Sequence, residues 1–231
     1  MKKLLILLAA LGGILLFSGC ESKGWKTVDG VIVFDTPARE PGQKSVLGLK
    51  TAPMETVRVG FIGLGMRGPG AVERFTHLDG VEIKALCDLY PERVDSAQAI
   101  LVRRGFPEAA PYSGEEGWKQ LCERDDIDLV YIVTPWQLHV PMAVYAMEHG
   151  KHVFCEKPLG TNVAQCKEAE KVVEAHPELV FQLGFMRRFD PSYAEAKRRV
   201  DAGEIGKVVL VRSCTQDPRS TIESTLKFLP H

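Results

Sequence analysis

From Val57 onward, apolar residues come in short unbroken runs separated by stretches with helical spacing. Val57–Ile62 is such a run with a glycine-rich turn behind it, as expected of a strand buried on both faces. Val81–Cys87, Ile127–Val133, His152–Cys155 and Val180–Phe185 repeat the pattern. The intervening segments predict helices over Pro69–Leu78, Pro91–Arg104, Glu115–Arg124, Val140–His149 and Val163–Ala175. Alternating strands and helices imply a parallel sheet covered on both faces, a doubly wound α/β fold. Farther on, Pro191–Val200 reads as a helix, Gly203–Gly206 as a turn and Lys207–Cys214 as a strand of a new element. A lone strand cannot satisfy its backbone. This one is therefore expected either to join a sheet edge or to begin a second, truncated α+β domain.

The first twenty residues follow a different pattern. Lys2 and Lys3 precede an uncharged apolar run, Leu4–Phe17. The run is shorter than the roughly 18 residues of a membrane-spanning helix, which predicts an export signal. Phe17-Ser18-Gly19-Cys20 resembles a bacterial lipobox with Cys20 as the lipidated residue. A plain secretory signal or an uncleaved anchor helix are the alternatives. With lipidation the protein would be exported and held to a membrane without spanning it, each buried CH2 contributing about 0.8 kcal/mol. Glu21–Thr56, rich in Gly, Pro, Lys and Thr with one apolar stretch at Val31–Phe34, reads as a tether.

Composition narrows the picture slightly. With 45% hydrophobic and 26% charged residues the chain is ordinary globular material. A net charge of -1 gives no electrostatic reason to expect nucleic acid as a partner. Beyond Cys20, the cysteines at 87, 122, 155, 166 and 214 are widely spaced with no CxxC pair. Buried unpaired thiols are expected, with no metal site and no disulfide framework.

The chemistry concentrates at the carboxyl ends of the predicted strands. Gly63-Leu64-Gly65-Met66-Arg67-Gly68 matches GxGxxG between a strand and a helix, the context a dinucleotide pyrophosphate needs. Gly63 permits the tight turn, Gly65 the close approach of phosphate, and Gly68 close helix–strand packing. The helix N-terminus adds free N–H groups and about half a positive charge. Asp88 ends the second strand, placed to accept ribose hydroxyls or to cap the helix near Pro91. A 2′-phosphate about 4 Å from that carboxylate would be repelled by roughly 4 kcal/mol at an effective dielectric near 20. NAD is therefore expected over NADP. Residues 57–185 form this Rossmann-type domain, and 186–231 begin a domain for substrate binding and oligomerisation.

Thr134-Pro135 ends the third strand, with Trp136 and His139 following. His139 is a candidate for contact with cofactor or substrate, a helix-start structural role being the alternative. Glu156-Lys157-Pro158 ends the fourth. A lysine there suits proton transfer if burial or a cationic neighbour brings it from about 10.4 toward neutrality; a solvated Glu–Lys pair is the other reading.

GFIGLGMRG, Asp88 and GKHVFCEKPLG at Gly150–Gly160 together resemble the Gfo/Idh/MocA family of NAD(P)-dependent oxidoreductases, over roughly Val57–Cys214. The resemblance implies that Lys157 is catalytic beside nicotinamide and substrate, that Glu156 lies against the cofactor, and that Pro158 shapes the turn. From the leader to about Val153, segments such as ALCDLYPERV resemble exported NAD-dependent glycosidases of glycoside hydrolase family 109, which typically lack a lysine at the position of Lys157. From Phe154 onward the chain resembles inositol 2-dehydrogenases. In those, a downstream aspartate and histidine complete the catalytic set, and Thr215–His231 contains no match to them. The expected function is oxidation of a cyclic polyol or sugar, with assembly into a homo-oligomer if the second domain is complete. Two alternatives stand beside it: a glycosidase that retains its NAD, and a dinucleotide-binding chain without turnover.

Overall fold

A computed structural model describes residues 25–28, 31–34 and 51–216. The leader with Cys20, much of the tether and residues 217–231 lie outside the described residues. The chain divides into two compact units, Met1–Gln43 and Lys44–His231.

In the first unit, β1 (Trp25–Val28) and β2 (Val31–Phe34) form an antiparallel pair, Trp25 opposite Phe34 and Val28 opposite Val31. The expected tether thus contains a hairpin. Its sequence favours one, because β-branched residues flank Asp29-Gly30, the dipeptide suited to a two-residue turn.

The second unit is built on six parallel strands: β3 (Val57–Ile62), β4 (Val81–Asp88), β5 (Ala110–Ser113), β6 (Leu129–Ile132), β7 (His152–Cys155) and β8 (Phe181–Leu183). Their order is β5-β4-β3-β6-β7-β8. The chain starts at the centre, winds outward through β4 and β5, then returns to the other side of β3 for the remainder. This reversal leaves a crevice at the carboxyl ends of β3 and β6, where doubly wound sheets bind ligands.

Helices α1 (Gly68–Phe75) and α2 (Pro91–Arg103) cover one face, and α3 (Gly117–Cys122), α4 (His139–Glu148) and α5 (Val163–Ala175) the other. Two apolar clusters show the alternation that seats them. Val59, Phe61 and Leu86 pack with Val72, Val94 and Leu101 on the first face, while Ile62, Val130 and Cys155 pack with Leu121, Met142 and Val173 on the second. At Gly60 a Cβ would lie 2.7 Å from the Leu121 side chain, so a residue without one lets α3 approach β3.

An aromatic row crosses three strands on the first face. Phe61, Tyr131 and Phe154 sit opposite one another in register, with ring centroids 5.2 and 4.6 Å apart, and Phe75 of α1 meets Phe61 edge-on at 5.1 Å. Such pairs contribute about 0.5–1.5 kcal/mol each beyond their buried area.

Four differences from the sequence expectations have local causes. Strand β5 was not expected, since Ala110–Ser113 contains Pro111; it pairs only with β4, and a sheet edge tolerates the missing N–H. Strand β6 starts later than Ile127 because Asp128 is captured by Arg58, whose guanidinium donates to Asp128 Oδ2 at 2.9 Å and to Oδ1 at 2.5 Å. The helical segment at 115–124 shortens to α3. Lys207–Cys214 forms no strand: no neighbour comes alongside it among the described residues, and Val209, Leu210 and Val211 are 80–88% exposed. Its apolar residues supply strand preference without a ladder to join. It follows α6 (Pro191–Asp201), which itself has no buried residue.

The Arg58–Asp128 pair fastens the amino ends of the two central strands. The guanidinium hydrogen bonds hold the Asp128 carboxyl below its usual range, against a smaller opposing effect of burial. A depressed carboxyl contributes stability that is present above its unfolded value near 4 and lost as pH falls through the folded one. Asp128→Asn should lower unfolding stability by about 1–2 kcal/mol at neutral pH. In urea titrations across pH the difference from the parent chain should shrink as pH falls below about 4.

Candidate active site

The glycine turn follows β3 directly. Gly63 has φ +99°, a left-handed conformation, and a Cβ there would lie 2.7 Å from the Val133 carbonyl. At Gly68 a Cβ would come 2.2 Å from the Gly63 carbonyl oxygen, so only glycine lets α1 start this close to the strand. At Gly65 a Cβ would meet nothing nearer than the Arg93 guanidinium at 3.4 Å, which leaves that stretch of backbone approachable. Arg67 at the cap position of α1 makes no capping hydrogen bond. The helix therefore presents its first-turn N–H groups and positive dipole end to an incoming anion.

Leu64 departs from its expected role. Its side chain is buried in the core, and its amide donates to Asp88 Oδ2 at 2.6 Å. It anchors the loop and has no amide left for a phosphate. Met66 and Arg67 are exposed on the rim of the turn.

Asp88 is buried, and three groups hold it. Besides Leu64, the Tyr90 amide donates to Oδ1 at 3.1 Å and Arg93 Nη1 to Oδ1 at 3.3 Å. A carboxylate has about four acceptor positions, so capacity for a ribose hydroxyl remains. Asp88 does not cap α2, which starts behind Tyr90 without a side-chain capping bond. Arg93 was not anticipated. It lies over the Tyr90 ring at 4.6 Å, and its charge offsets part of the repulsion that a 2′-phosphate would meet.

Across the crevice, the Glu156-Lys157-Pro158 turn follows β7, with a cis Lys157–Pro158 peptide. The Glu156 amide donates to the Ile132 carbonyl at 2.9 Å, and Glu156 Oε1 accepts from the Tyr131 hydroxyl at 3.2 Å. Burial pushes the Tyr131 hydroxyl up to about 12, helped by the neighbouring Glu156 charge, so it stays a donor. Gly184, just past β8, leaves room for this carboxylate: a Cβ would lie 3.1 Å from Glu156 Oε2. Lys157 is exposed and has no ion-pair partner among the described residues.

Thr134 is half-buried and Pro135 exposed, at the carboxyl end of β6. Trp136 is 59% exposed at the start of a short 3-10 turn. His139, a candidate catalytic residue on sequence grounds, is 1% exposed with both ring nitrogens against backbone carbonyls. Its ring is enclosed. The cysteines at 87, 122 and 155 are buried and unpaired, as expected, and burial pushes each thiol up to about 12, which makes them poor nucleophiles. Cys166 is half-buried and Cys214 exposed.

The tight glycines, the approachable Gly65 backbone, the uncapped helix and the anchored carboxylate fit a dinucleotide. Comparison with known proteins agrees. The Gfo/Idh/MocA family, described as an oxidoreductase family with an NAD-binding Rossmann fold, matches residues 57–185. A glycosyl hydrolase family 109 protein from Porphyromonas gingivalis is 59% identical over 149 residues, covering 63% of this chain and 32% of that protein. One from Bacteroides thetaiotaomicron is 58% identical over 161 residues, covering 68% and 34%. Among solved structures, myo-inositol 2-dehydrogenase from Lactobacillus plantarum superposes with TM-score 0.65 at 38% identity, over 75% of this chain and 49% of that one. Scyllo-inositol dehydrogenase from Lactobacillus casei, solved with NAD(H) and scyllo-inositol, gives 0.66 at 34% identity over the same shares. The chain thus spans about a third of the length of these curated relatives and about half of these solved neighbours.

Asp88→Asn removes the charge that anchors the Leu64 amide and that a ribose hydroxyl would meet. Calorimetric titration should show NAD binding weakened about tenfold, equivalent to about 1.4 kcal/mol. An unchanged affinity in a folded variant would contradict that role.

Proposed function

Because the chain belongs to the Gfo/Idh/MocA oxidoreductase family, we propose that it oxidises a secondary hydroxyl of a cyclic polyol or sugar with NAD as acceptor. The observation that carries this reading is the Glu156-Lys157-Pro158 turn at the crevice, opposite a glycine turn that fits a pyrophosphate. NAD supplies a nicotinamide C4 that takes up hydride. The amides of Gly65–Gly68 hold the pyrophosphate, with Met66 and Arg67 at its rim, and Asp88 holds the ribose. Thr134 and Pro135 line the nicotinamide end. Glu156, fixed by Tyr131, borders the cofactor, and Lys157 Nζ takes the hydroxyl proton as hydride leaves the same carbon. The likeness to an inositol dehydrogenase holding NAD(H) and scyllo-inositol supports the substrate class. The leader supports export, with lipidation at Cys20 as the attachment to a membrane. No helix among the described residues is long and apolar enough to cross one.

The family 109 relatives favour a second reading. In it, the sugar is oxidised transiently, the aglycone is eliminated and the hydride returns. An exported enzyme that retains its NAD needs no external supply, which suits this cycle.

One experiment separates the two. The chain is incubated with NAD and myo- or scyllo-inositol, and in parallel with nitrophenyl N-acetylgalactosaminide without added NAD. The first reading predicts NADH formation from inositol, lost in Lys157→Ala. Nitrophenol release without net NADH would favour the second, and silence in both assays would reject both.

A further inference from the structure

Arg93 stands in the first turn of α2, a place that goes against the helix dipole. The start of a helix carries the positive end, which favours acidic side chains and disfavours basic ones. Here that end has no side-chain cap. Two contacts hold the guanidinium over it. Nη1 lies 3.3 Å from Asp88 Oδ1, and Cζ lies 4.6 Å from the Tyr90 ring centroid. Nη1 is also the nearest atom to where a Cβ on Gly65 would stand, at 3.4 Å. The half-buried cation therefore sits between the turn that fits a pyrophosphate and the carboxylate that a ribose would meet.

The carboxylate is nearly filled. Asp88 Oδ1 accepts from the Tyr90 amide as well as from Arg93, and Oδ2 accepts from the Leu64 amide. With about two acceptor positions on each oxygen, one place remains, on Oδ2. Two neighbouring ribose hydroxyls would need a second place, and the contact from Arg93 is the longest of the three. A guanidinium released from Asp88 has a planar fork of N–H donors that matches phosphate. Its charge matters as much as its shape. Near the Asp88 carboxylate alone, a 2′-phosphate would be disfavoured by roughly a thousandfold. With an opposite charge 3.3 Å from that carboxylate, the two fields largely cancel at any group that meets both.

We infer that Arg93 sets the choice between the two dinucleotides: its guanidinium offsets the Asp88 charge and receives a 2′-phosphate in its fork, so that NADP binds only slightly less well than NAD. The inference rests on the dinucleotide site of the proposed function. It concerns the adenosine end of that site and makes no use of Lys157.

The test is calorimetric titration of the full chain and of Arg93→Met with NAD and, separately, with NADP. Methionine keeps an apolar stem over Tyr90 and loses the charge. The parent chain should bind NADP within about tenfold of NAD. In Arg93→Met the NADP affinity should fall about a hundredfold, while NAD affinity stays within about threefold. Arg93→Lys, which keeps the charge without the fork, should fall between the two for NADP. An equal loss of both dinucleotides in Arg93→Met would make Arg93 a mere support for Asp88 and overturn the inference. A parent chain that rejects NADP by about a hundredfold or more would overturn it without any variant. In that case NAD binding still stands and the proposed function is untouched. If the parent chain binds neither dinucleotide, the cofactor site and this inference fall together.

Discussion

The hydrogen bond from the Leu64 amide to the Asp88 carboxylate, 2.6 Å long and buried, sets the geometry of the crevice. It joins the turn after β3 to the end of β4, two places that adjoin in the sheet and are 24 residues apart in the chain. Gly63 and Gly68 let the turn close this tightly, since a side chain at Gly63 would strike the Val133 backbone and one at Gly68 the Gly63 carbonyl. Once the turn is pinned, α1 starts where its N–H groups face the reversal point of the sheet. Under the proposed function, the anchor and the ribose acceptor would be the same carboxylate, and loss of its charge would disturb the phosphate end and the sugar end together.

The opposite wall follows a different logic. Here the sheet supplies the order: the row Phe61–Tyr131–Phe154 fixes the Tyr131 ring, and its hydroxyl reaches Glu156 at the end of the neighbouring strand. Aromatic packing within one face of the sheet is thereby converted into the placement of a polar group at its edge. Lys157 is the exposed member of this wall.

Much of the fold could be read from the chain because parallel strands are buried on both faces and so appear as apolar runs. The readings that failed lacked information about neighbours. Ala110–Ser113 is a strand because β4 leaves an edge for it, and Lys207–Cys214 is none because no strand among the described residues lies beside it. In the site, the glycines were legible because a backbone constraint leaves a residue type behind. Arg93, Tyr131 and Gly184 were not, since they reach the site through space. Tyr131 left one trace, a hydroxyl inside an otherwise apolar strand, which called for a buried partner. For His139 the residue type suggested chemistry, and only the structure shows its ring buried between two backbone carbonyls.

The most direct measurement is diffraction from crystals of the chain grown with NAD. The account predicts pyrophosphate density within hydrogen-bond distance of the Gly65–Gly68 amides, the adenosine ribose on the Asp88 carboxylate, and the Leu64–Asp88 bond unbroken. A dinucleotide bound elsewhere, or a ribose that turns away from Asp88 while Leu64 keeps it, would contradict the account.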